Sequence, residues 1–73
     1  MQEKKFLQQV AKRIVTIRKE KKMTQQELAD ECDMERSALA RLEGGTENVT
    51  VNTLLKLSKA FGVPVRNFFD FEQ

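Results

Sequence analysis

The chain has 73 residues, with 13 Lys/Arg against 11 Asp/Glu, a single cysteine and no histidine. At roughly 0.05–0.15 kcal/mol of stability per residue, one small domain worth about 4–11 kcal/mol is what such a length supports. There is no long apolar run, which excludes a membrane-spanning helix or a secretory signal core and makes a cytoplasmic, soluble protein the expectation. A lone Cys32 closes no internal disulfide and falls short of the four ligands of a structural zinc, and the missing histidine removes the commonest general base. No metal, no cofactor and no enzymatic activity are therefore expected, and Cys32 reads as a small buried filler.

Phe6, Val10, Ile14 and Ile17 recur every three or four residues, so a first amphipathic helix is predicted over 3–21 with a basic outer face. Met1–Lys22 carries eight Lys/Arg against two Glu, and Met23–Gln73 five against nine Asp/Glu, so the halves stand at +6 and −4. Such asymmetry suits a polyanionic partner, although Lys-rich helix faces are more often simply solvated. The apolar face lacks Trp and reads as packing on its neighbours rather than on a membrane. Thr24 followed by Glu27 is a capping box that opens a second helix, 25–32, with Leu28, Ala29 and Cys32 on one side. Asp33 and Met34 then make a tight turn into a third helix, 35–43, stopped by Gly44–Gly45, and two helices joined so briefly cross steeply. The acidic group Asp30, Glu31, Asp33 and Glu35 reads as a solvated surface rather than as acid–base machinery. After the polar loop "GGTENVT", Thr50 caps a fourth helix, 51–61, whose Leu54, Leu55, Leu57, Ala60 and Phe61 are apolar and which Gly62 closes. Pro64 opens a short fifth helix, 64–69.

The third helix has an unusual distribution of side chains. Stepping about 100° per residue, Arg36, Ser37, Ala40 and Arg41 share one arc of about 140°, and Ala38, Leu39, Leu42 and Glu43 fall in the other. One face is small at its centre with arginine at its edges; the other sets a carboxylate beside leucines.

The stretch "RIVTIRKEKKMTQQELADECDMERSALARLEGG", followed by "TLLKLSKAFGVP", resembles the phage repressor and Cro type of helix-turn-helix DNA-binding family, the xenobiotic-response-element-like group, across roughly residues 11–69. Three elements carry the resemblance: Thr24-Gln25-x-Glu27-Leu28-Ala29 opening helix two, Leu39-x-x-Leu42-Glu43-x-Gly45 ending helix three, and a Leu-rich fourth helix closed by Gly62. It implies an all-α, five-helix, lambda-repressor-like domain over residues 1–73, with helix three in the major groove of DNA and helix two across the backbone. Under that implication Arg36, Ser37, Ala40 and Arg41 contact base edges. The small centre permits close approach, and an arginine fork matches O6 and N7 of guanine. Gln25 touches a phosphate or orients a recognition side chain. Thr46, Asn48, Thr50 and Asn52 are the neutral candidates for backbone contacts, in a loop that lacks the Lys or Arg the family often carries there. Arg18 and Glu43 match the family's partly buried ion pair, a structural role.

Three of the five phenylalanines lie in the last six residues. Val63 and Phe68 are expected to complete the core. Val65, Phe69 and Phe71 are expected to leave an apolar patch, and the family dimerises through this region, which implies an isologous homodimer with Arg66 and Asp70 at its rim. The expectation is thus a sequence-specific, double-stranded DNA-binding transcriptional regulator, a repressor or controller protein, bound as a dimer to a near-palindromic operator. With no ligand domain after the helices, control by its own concentration is expected. An antitoxin of a toxin–antitoxin pair, and a protein-interaction adaptor that has lost DNA binding, are the competing readings.

Overall fold

The repeat of Phe6, Val10, Ile14 and Ile17 winds into α1, Glu3–Glu20, the longest element of the computed structural model, which describes residues 3–71. Residues 1–2 and 72–73 of the expected domain lie outside that range. The chain then turns at Lys21–Lys22, with Lys22 in the left-handed region at φ 58°. α2, Gln25–Glu31, starts on the predicted capping box: Thr24 Oγ1 accepts from the Glu27 amide at 3.0 Å, and Glu27 Oε1 accepts from the Thr24 amide at 2.8 Å. Two of the orphan N–H groups at the helix start are thereby satisfied.

A turn with Asp33 at φ 55° leads to α3, Arg36–Glu43. Glu35, predicted as its first residue, stands outside as an extended N-cap whose side chain makes no capping bond. α4, Val51–Phe61, is capped by Thr50, which accepts from the Thr53 amide at 3.1 Å, and is closed by Gly62 in the left-handed conformation. The fifth segment departs from expectation. Pro64 is extended and precedes the helix, and Val65–Phe69 winds as a 3-10 turn, not an α-helix. Three residues between an extended Pro64 and an anchored Phe68 leave room for only a single tight turn.

All five elements contribute to one core. Ile14, Leu28, Leu39, Leu57 and Phe68 are fully enclosed, and Phe61 meets Phe68 edge-on with ring centroids 6.1 Å apart. Cys32 is buried among them as a filler. Val63 packs against the same cluster from its edge.

Gly45 fixes where α3 ends relative to α1. It is buried at φ 77°, and a Cβ built on it would stand 3.0 Å from Gln8 Cα, so both its conformation and its space require glycine. Gly44 has an ordinary right-handed backbone.

The expected apolar patch at the chain end is smaller than the sequence suggests. Val65 and Phe71 pack onto the core, because Phe6 in the first turns of α1 stacks on Phe69 at 6.0 Å and meets Phe71 edge-on at 5.7 Å. Of the three residues only Phe69 remains exposed, at 39%, and the other large exposed apolar side chains among the described residues are Val51 and Leu55 of α4. Among the described residues no helix is long and apolar enough to cross a membrane.

Candidate nucleic-acid interface

The two faces of α3 divide as the helical repeat requires. Leu39 and Leu42 are buried, while Arg36, Ser37 and Arg41 are exposed and Ala40 is half-buried between them. The outward surface is low at its centre and cationic at both edges, a shape that lets a helix approach a flat stack of bases while two long side chains reach beyond it.

A hydrogen-bonded brace beneath the surface sets the tilt of α3. Glu43 Oε2 accepts from Arg18 Nε at 2.8 Å, and Oε1 accepts from Arg18 Nη2 at 3.2 Å and from Gln25 Nε2 at 2.8 Å. Arg18 Nη1 also donates to the Met23 carbonyl at 2.8 Å. The two charged side chains are only 12% and 5% exposed, so this is a desolvated pair whose lone pairs and protons are satisfied, the condition under which such a pair is tolerable. One carboxylate at the end of α3 thereby joins α1 and α2. Gln25 continues the chain outward, its Oε1 accepting from Arg36 Nη1 at 3.4 Å, which links one cation of the outward face of α3 to the brace.

The remaining expected contact residues lie along one stretch of chain. Thr46, Asn48 and Asn52 are exposed and make no side-chain hydrogen bond to another described residue. Thr50 is exposed, but its hydroxyl is committed to capping α4 and to Thr53 Oγ1 at 3.0 Å. Lys19 in the last turn of α1 and Lys21 and Lys22 in the turn that leads toward α2 are exposed.

Sequence reasoning missed one participant. Glu47 Oε2 accepts from Arg41 Nε at 3.0 Å, with both side chains largely exposed. Six residues separate them, a spacing no helix brings together; the clue was the Gly-Gly reversal between two opposite charges. Cys32 has no part in this surface, and burial pushes its thiol above the ordinary value of 9.0 despite the nearby Lys56 cation. Among the described residues no group of three or more Cys, Asp or Glu is placed to hold a metal.

Residues 14–68 match the model of the helix-turn-helix family, HTH_3. The chain belongs to this helix-turn-helix family. It is a family of DNA-binding regulators rather than of enzymes. In the control protein C.BamHI of Bacillus amyloliquefaciens the chain has a relative 43% identical over 49 residues, which cover 67% of this chain and 60% of that protein. An immunity repressor protein of Bacillus phage phi105 is 41% identical over 56 residues, 77% of this chain and 39% of that protein. The chain therefore spans less than two thirds of the length of either curated relative. The solved structure of the restriction-modification controller protein C.AhdI from Aeromonas hydrophila superposes with a TM-score of 0.83 at 30% identity, covering 86% of this chain and 96% of that one. In helix-turn-helix terms, α2 and α3 are the paired helices, α3 the outward one, and the Arg18–Glu43–Gln25 brace holds the pair on α1.

Proposed function

We propose that the protein is a sequence-specific regulator of transcription that binds double-stranded DNA with α3 in the major groove, as a homodimer on a near-palindromic operator, in the cytoplasm. The observation that carries this reading is the outward face of α3: Arg36, Ser37, Ala40 and Arg41 form a low, cation-edged surface that no other described residues bury. Arg36 and Arg41 meet base edges, and Ser37 and Ala40 permit the approach. Gln25 acts by positioning Arg36, since its amide is already held by Glu43. Thr46, Asn48 and Asn52, with Lys19, Lys21 and Lys22 at the end of α1, meet phosphates, and Thr50 is the weakest candidate because its hydroxyl is committed to its cap.

Similarity to a control protein, a phage repressor and a restriction-modification controller favours a promoter-occupying repressor or controller over an antitoxin or an adaptor. Selection of bound duplexes from a random pool tests the reading. The expected outcome is an enriched motif with two inverted half-sites, each containing a guanine. A pool that yields no motif, or yields one equally with Arg36→Ala/Arg41→Ala, would overturn it.

A further inference from the structure

Arg41 and Glu47 form an exposed ion pair, and pairs of that kind add little to stability, so its meaning lies in what it does to the arginine. Glu47 engages Nε alone. The two terminal nitrogens, which are the end of the guanidinium fork that matches O6 and N7 of guanine, make no hydrogen bond to any described residue. Gly44–Gly45 reverse the chain, with Gly45 pressed against Gln8 of α1, and this returns Glu47 to the rim of the α3 reading face.

We propose that Glu47 is a specificity-determining positioning residue: its carboxylate fixes Arg41 by Nε so that the free end of the fork presents to a guanine. The proposal rests on the DNA-binding reading of α3. Two opposed consequences follow from the same group. A freely rotating arginine loses much side-chain entropy when it binds, and prior restraint removes part of that loss at the base the fork fits. The same negative charge, standing where phosphates must pass, weakens attraction to DNA of any sequence. Glu47 thus trades general affinity for discrimination.

The test measures binding of the parent, Glu47→Gln, Arg41→Ala and the double variant. The probes are the duplex selected from the random pool, its three alternatives at the base pair read through Arg41, and one random duplex. Glu47→Gln is expected to raise random-duplex affinity by about two- to fivefold through loss of one like charge. It is also expected to lower the preference for guanine at that pair by about threefold or more. In the Arg41→Ala background the second effect vanishes and the first remains. A Glu47→Gln protein whose affinity for every duplex shifts by one common factor would overturn the inference while leaving DNA binding intact. A parent that selects no duplex would overturn both. Both side chains are exposed, so equal melting temperatures are expected for all four proteins.

Discussion

Glu43 accepts three hydrogen bonds in a site that is 5% exposed, and that burden makes it the most consequential single carboxylate in the chain. Replacing it by Gln leaves the Arg18 guanidinium buried without a counter-charge, which costs about 3–5 kcal/mol, a large share of what so short a chain possesses. Thermal or urea unfolding checks this, and Arg18→Met/Glu43→Leu is expected to recover most of the loss, because a packed apolar pair needs no compensation. Arg36 and Arg41 behave in the opposite way. Truncation of either to Ala is expected to leave unfolding unchanged while weakening the preferred duplex by about 1–3 kcal/mol and relaxing base choice at one position. Equal losses on specific and random duplexes would show phosphate contact only. The Arg18–Glu43 pair was legible through the family resemblance: a carboxylate on the leucine arc of α3 calls for a partner, and the resemblance supplied Arg18. The Gln25 bond to Glu43 and the Arg41–Glu47 pair were not, since each joins residues of different segments that only the tertiary fold brings together.

At the scale of elements, caps and apolar spacing determined most of what formed. Thr24, Glu27, Thr50 and Gly62 all sit where their side chains or backbone freedom predicted, so four helices begin and end within a residue or two of their expected bounds. The closing turn was harder to foresee, because the choice between α and 3-10 winding depends on how Phe68 is anchored, which is a tertiary fact. The link between α3 and α4 provides a direct test of backbone reasoning. Gly45→Ala puts a side chain into left-handed backbone and within 3.0 Å of Gln8 Cα, and about 1–3 kcal/mol of destabilisation is expected. Gly44→Ala, at φ −73°, is expected to be near neutral. Chemical denaturation of the two variants side by side distinguishes a glycine the turn requires from one it merely contains.

At the scale of the whole molecule, association and pH are the open variables. The proposed dimer uses the chain end, and since Val65 and Phe71 are already packed on the core, Phe69 is its exposed anchor. Sedimentation equilibrium at tens of micromolar is expected to show a dimer that Phe69→Glu reduces to monomer and Leu55→Glu leaves intact. The reverse pattern would move the interface to the outer face of α4, where Val51 and Leu55 are exposed. Sequence reasoning overstated this patch because nothing local announces that Phe6, more than sixty positions away, stacks on Phe69. The buried Cys32 thiol has its value raised by burial, so the folded chain holds a proton that the unfolded chain releases above about pH 9.0. Its contribution to stability is fully present below that pH and declines as pH rises beyond it. Denaturation midpoints at about pH 8 and about pH 10 are expected to fall further for the parent than for Cys32→Ala.

The brace under α3 separates two kinds of freedom to change. Ser37, Ala40 and Arg41 make no side-chain hydrogen bond to Glu43 or Arg18, whereas Arg36 reaches the brace through Gln25. On the proposed DNA-binding role, new side chains at the exposed positions 37 and 41 are expected to redirect base choice at almost no cost in folding, whereas position 40 is half-buried. A change at 36 frees the Gln25 carbonyl oxygen as well, while the Arg18–Glu43 pair and its bond from Gln25 stay in place. Variants retargeted from this scaffold should accumulate first at Ser37, which is exposed, since Ala40 is half-buried and Arg41 is tied to Glu47.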